Sequence, residues 1–99
     1  MDTIYRIEYI STFHTDISNL ISDLEKYPQK AKRIFETLDR KLSRLAQAPE
    51  MYQIYEDFPE FRRITVEDYL VFYTINKHDR IIEIHRLIYG RKDIIRQLE

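Results

Sequence analysis

The sequence predicts an α+β fold in the order β-α-α-β-β-β with a short C-terminal helix, its helices packed on one face of the sheet. Three observations lead there. The chain opens on a run rich in β-branched and aromatic residues, and three more such runs fill its last third. Two stretches with apolar residues at helical period lie between them. The connections among the last three runs are short enough to demand antiparallel neighbours.

Each element has its own justification. Ile4 to Ile10 mixes Ile and Tyr with charges at Arg6 and Glu8, so one face of a strand is wet. Ser11 and Thr12 offer hydroxyl caps for a first helix, whose stripe is Ile17, Leu20, Ile21 and Leu24 and which ends near Tyr27. Pro28 suits the first turn of a second helix, and Ala31, Ile34, Phe35, Leu38, Leu42 and Leu45 hold helical period until Pro49. The two make a helical hairpin. Glu50 to Pro59 has no period and reads as a connection with room for a short edge strand. Phe61 to Val66, Tyr69 to Asn76 and Ile81 to Tyr89 read as a meander turning at Glu67-Asp68 and at Lys77 to Arg80. Both alternate residue sets of the last two strands are largely apolar, as in central strands covered on both sides. Gly90 ends the run, and Asp93 to Leu98 has period enough for a short terminal helix.

Composition narrows the class. A chain of 99 residues with 43% hydrophobic and 33% charged residues, one Gly and three Pro is expected to form a single domain over residues 1–99. Cysteine is absent, which excludes disulfides and thiolate metal sites and is compatible with a reducing compartment. No apolar run approaches the roughly 20 residues of a membrane span, and the N-terminus does not resemble a signal peptide. A cytoplasmic protein without membrane contact is expected.

The net charge of -1 conceals segregation. Residues 28 to 49 carry six positive and two negative charges, whereas residues 50 to 85 carry four and eight. Lys30, Arg33, Lys41 and Arg44 fall outside the apolar stripe of the second helix, so a basic surface is expected on the exposed side of the hairpin. A solvated helix face would show the same pattern.

Chemistry concentrates at the end of the last strand. Arg86, Tyr89, Arg91 and Lys92 lie close together in sequence, with Arg62 or Arg63 on a neighbouring strand. Guanidinium groups bind phosphates and carboxylates bidentately, and tyrosine stacks or positions a proton, so the grouping suits a polyanion or an acidic peptide. The alternative is that Arg86 pairs with Asp93 or Asp68 and Tyr89 caps the core. Strand alternation sends His85 to the face opposite Arg86. His14, His78 and His85 lack the spacing of metal ligands, so no metal is expected. One Gly excludes a phosphate-binding loop, and Ser11, Ser18, Ser22 and Ser43 have no nucleophile elbow. No cofactor is implied. Glu56 and Asp57 could act as a general base or be solvated.

These residues resemble the RelE/ParE superfamily of bacterial toxins from type II toxin-antitoxin systems. The likeness spans nearly the whole chain and is strongest in two runs. One joins Phe61-Arg62-Arg63-Ile64 to Tyr69-Leu70-Val71-Phe72-Tyr73; the other is Ile84 to Asp93. The resemblance implies a growth-inhibiting toxin, of the kind that serves plasmid stabilization, held in check by a cognate antitoxin. It implies one of two activities. ParE-like members poison DNA gyrase; RelE-like members are metal-independent endoribonucleases that cut ribosome-bound mRNA. In a nuclease the carried-over catalytic positions are Arg86 and Tyr89. Arg62, Arg63, Tyr69, Arg91 and Lys92 are the carried-over binding positions. The pI of about 6.3 departs from strongly basic ribosome-directed members. Tyr89 stands where ParE-like relatives often have His, which leaves room for either role, but Tyr69 stands where some nuclease members carry Arg. The gyrase reading is therefore preferred and the mRNA endonuclease is the alternative. An acidic, apolar antitoxin segment is expected on the basic edge or the hairpin, in a toxin-antitoxin hetero-oligomer or beside a toxin homodimer.

Overall fold

A computed structural model describes residues 4–99. The elements are β1 (Arg6–Tyr9), α1 (Ser11–Asp23), α2 (Pro28–Leu45), β2 (Arg62–Val66), β3 (Tyr69–Asn76), β4 (Ile81–Tyr89) and α3 (Ile94–Leu98). They form one four-stranded sheet in the order β1-β4-β3-β2, as the α+β expectation requires. The meander pairs antiparallel, while β1 lies parallel to β4 with Ile7 opposite Ile82. The two strands with apolar residues on both faces are indeed central.

Hydrophobic burial positions the helices. Ile34, Leu38, Leu42 and Leu45 of α2 join Phe13, Leu20 and Leu24 of the α1 region against Ile64, Val66, Val71, Tyr73, Ile82 and Ile84 of the sheet. Tyr73 is completely buried, and its hydroxyl donates to Pro49 O at 2.7 Å, so the ring packs while its polar tip is satisfied. Burial pushes that phenol up to about 12. On the opposite face Phe72 is also fully buried, meeting Tyr55 at 5.1 Å and Phe61 at 6.2 Å between ring centroids. The connection after α2 is therefore a cover for the second face of the sheet. It also makes a bridge between Ile54 and Arg62 beside β2.

Local details differ from the expectations in ways with physical causes. The N-cap of α1 is Ile10, which has no side chain able to accept a bond, and the Thr12 hydroxyl donates to His85 O on the sheet edge. Ser11 and Thr12 are first-turn residues rather than caps. Ile21 is 53% exposed, and Phe13 takes the place in the core that the helical stripe offered it. The β2–β3 turn places Glu67 at φ 55, a conformation that costs a side-chain-bearing residue energy. Lys30 and Arg33 of α2 pair with Asp68 at 3.6 Å and Glu67 at 3.5 Å across this turn.

Candidate functional site

Unequal strand lengths create the site. β1 has four residues and β4 nine, so β4 beyond Ile84 has no strand on its β1 side. An open edge invites pairing with other chains unless it is covered. Here α1 covers it. Ile10 N donates to Ile84 O at 2.9 Å, the Thr12 hydroxyl to His85 O at 2.7 Å, and Leu87 N to Asp16 Oδ2 at 2.9 Å. Thr12 and Asp16 are four residues apart and share a helix face, which spaces their oxygens along the strand.

Asp16 also holds Arg86. The guanidinium donates through Nε to Asp16 Oδ2 at 2.7 Å and through Nη2 to Asp16 Oδ1 at 3.1 Å. Its outer edge donates to Gln97 O at 2.9 Å and Gln97 Oε1 at 3.3 Å, tying α3 to the strand. The side chains of Arg86 and Asp16 are 23% and 12% exposed. The partner of Arg86 is thus Asp16, neither Asp93 nor Asp68. Asp93 instead caps α3, accepting from Arg96 N at 3.3 Å.

Strand alternation breaks at this point. Phe72 faces Arg86 and Tyr73 faces Ile84, so a bulge leaves His85 without an opposite residue. Simple alternation therefore does not hold between His85 and Arg86. His85 contacts Thr74 Oγ1 through Nε2 at 2.9 Å and meets Phe61 edge-on at 5.2 Å. Burial lowers its pKa, with Glu83 opposing.

The remaining sequence-predicted residues are split between places. Tyr69 and Tyr89 are register partners with ring centroids 5.5 Å apart. With Lys92 they line a pocket of about 180 Å³, completed by Asp16, Asn19, Asp23 and Gln97. Gly90 lies beside it and donates to Asp68 O at 2.8 Å; a Cβ there would sit 3.1 Å from that oxygen. Arg91 is exposed. Arg62 binds the carbonyls of Glu50 and Tyr52 at 3.3 and 2.7 Å and anchors the connection after α2. Arg63 lies instead beside Glu56 and Asp57 in a polar recess of about 250 Å³ with Tyr55. Arg62, Arg63 and the Tyr69–Tyr89 pair do not converge on one centre.

The basic helix face is largely compensated. Lys30 and Arg33 pair with the β2–β3 turn, Lys32 is 3.9 Å from Glu36, and Lys41 caps Thr65 O on the β2 edge. Arg40 and Arg44 have no ion pair among the described residues. Among the same residues no group of three His, Asp or Glu could hold a metal ion, and no helix is long and apolar enough to cross a membrane. A second hollow, of about 430 Å³, runs between the helices, lined by Tyr9, Phe13, Ile17, Phe35, Leu38 and Leu42 with His14 and Asp39 as its polar members.

Sequence reading missed Asp16, Asn19, Asp23 and Gln97. The i, i+4 spacing of Thr12 and Asp16 hinted at a polar face on α1, but nothing local indicated an uncovered strand edge as its partner.

Comparison with known proteins follows this geometry. A family profile described as "ParE toxin of type II toxin-antitoxin system, parDE" matches residues 7–94. No curated protein matches. Among solved structures, the "Chromosomal ParDE TA system from P. aeruginosa" aligns with a TM-score of 0.72 at 15% identity, covering 88% of this chain and 97% of that chain. That likeness is one of fold.

Proposed function

Since this chain belongs to the ParE toxin family of type II toxin-antitoxin systems, we propose that it inhibits growth by binding DNA gyrase, and that a cognate antitoxin neutralises it. The observation that carries the choice of target is the state of Arg86. Transition-state stabilisation of a cleaved phosphodiester needs cationic donors aimed at the developing charge. The donors of Arg86 are instead directed at Asp16 and Gln97. Arg62 holds backbone carbonyls, and Arg63 lies near two carboxylates. A net charge of -1 and a compensated α2 also suit a protein target better than rRNA and mRNA, whose affinity rests on phosphate neutralisation.

For the antitoxin, the hollow between α1 and α2 offers an apolar seat. An amphipathic segment laid there would bury Tyr9, Phe35 and Leu38 with its apolar face and keep its acidic residues clear of Asp39. Burial, and then Asp39, push the Tyr9 phenol up.

Supercoiling assays with purified gyrase, set beside primer-extension mapping of mRNA in expressing cells, test the target. Loss of supercoiling without cuts at ribosomal A-site codons is expected. Intact supercoiling together with such cuts would replace this reading with the endonuclease one, in which Arg86 and Tyr89 are catalytic.

A further inference from the structure

The pocket under the C-terminal half of α1 contains polar groups that the fold leaves unengaged. Asn19, Asp23, Tyr69, Tyr89 and Lys92 line it. Among the described residues, no side-chain hydrogen bond or ion pair occupies any of them. Asp16, on the same wall, is by contrast saturated by Arg86 and Leu87 N.

One carboxylate of the pocket, Asp23, has no ion pair among the described residues. Asp23 is the last residue of α1, and no basic residue lies in that last turn. The C-terminal end of a helix carries partial negative charge, so a carboxylate there is unfavourably placed unless a cation joins it. The Tyr69 phenol responds to the same field. Burial raises its pKa first, Asp23, Tyr89 and Asp68 raise it further, and no cation acts in the opposite sense. Lys92 stands at the exposed rim of the pocket and is the cation among its lining residues.

We propose that this pocket receives the guanidinium of an arginine side chain presented by a protein partner. The inference rests on the reading that the chain works by binding proteins, and it names the anchor such a partner brings. A volume of about 180 Å³ admits one long side chain rather than a peptide segment. The edge-to-face Tyr69–Tyr89 pair supplies π surface, against which a planar cation is attracted. The Asp23 carboxylate, the Asn19 amide oxygen and the two phenol oxygens supply acceptors for its five N–H donors. Lysine has the charge but lacks the planar fork, and a phosphate or carboxylate would find the exposed Lys92 at the rim but meet the Asp23 carboxylate as a like charge. Buried arginine anchors stacked on aromatic residues are frequent energetic centres of protein interfaces.

The test is an NMR titration of the whole chain with N-acetyl-arginine-amide, with N-acetyl-lysine-amide and N-acetyl-glutamate-amide in parallel. The arginine probe is expected to shift the Asn19 side-chain amide and the Tyr69 and Tyr89 ring signals, with the lysine probe weaker and the glutamate probe inert. Asp23→Asn, at an exposed position, is expected to keep the fold and weaken arginine binding about tenfold. Lys92→Ala is expected to leave binding unchanged or tighten it. Shifts from the glutamate probe alone, or arginine binding that Asp23→Asn does not weaken, would overturn the proposal. Arginine binding by a chain that leaves gyrase untouched supports the pocket and removes the target; gyrase inhibition by a chain that ignores the arginine probe does the reverse.

Discussion

Replacing Asp16 by Ala probes the linkage on which both the fold and the proposed activity depend. The substitution removes two charge-assisted bonds to Arg86 and the carboxylate oxygen that accepts from Leu87 N on the open edge. Stripping one partner from a buried ion pair costs about 3–5 kcal/mol. Here the loss is smaller, because Arg86 is 23% exposed and keeps both oxygens of Gln97. About 2–3 kcal/mol is expected, which lowers the Tm of a domain this size by roughly 8–24 °C. Asp16→Asn retains an oxygen for Leu87 N and should cost only about 1–1.5 kcal/mol, mainly the lost charge. Urea unfolding followed by far-UV circular dichroism and tyrosine fluorescence measures both, since the chain has no Trp. Adding Arg86→Met closes a double-mutant cycle, in which a coupling of about 1.5–2 kcal/mol is expected. An Asp16→Ala protein within about 0.5 kcal/mol of the parent would refute the argument that α1 secures the open edge of β4 through this carboxylate.

Further predictions follow from other contacts. Gly90→Ala should destabilise by about 1 kcal/mol, because its Cβ would press on Asp68 O at 3.1 Å and loosen the Gly90 N bond to that carbonyl; an unchanged urea midpoint would contradict this. Glu67→Asn should stabilise by about 0.5 kcal/mol, relieving the cost of φ 55 while losing only an exposed pair with Arg33. His85 favours its neutral form in the fold because burial depresses its pKa. The unfolded chain therefore takes up the proton first as pH falls below about 6.5, and stability declines from there toward the folded-state pKa. His85→Gln should flatten that part of a stability-against-pH curve. Tyr73 behaves in the opposite range: with its phenol held near 12, stability should fall as pH rises from 10 toward that value, and Tyr73→Phe should reduce the slope, leaving the part that the raised phenols of Tyr9, Tyr55 and Tyr69 contribute.

The element order, the extents of α2, β3 and β4, and the central position of the last two strands were legible in the sequence, because each rests on local periodicity. The α2 stripe repeats at helical spacing, and the meander turns are too short for another topology. The role of Gly90 as a stop was also legible, although its cause is a close approach to Asp68 rather than a positive φ. The family resemblance came from residue order in the same segments, and the ParE match spans residues 7–94.

What the cationic strand end binds was decided only by the tertiary structure. Arg86 finds Asp16 seventy positions away because β1 is shorter than β4 and α1 covers what β1 leaves open. The bulge at His85, the compensation of α2 by Glu67 and Asp68, and the placing of Asp23 beside Tyr69 have the same origin. Periodicity along the chain tells each residue which face it occupies; which charges then meet is set by strand lengths and packing between segments far apart in sequence. Arg86, Tyr89, Arg91 and Lys92 are cationic and aromatic by sequence alone, and only the fold brings Asp16 onto Arg86 and sets Asp23 beside the Tyr69–Tyr89 pair.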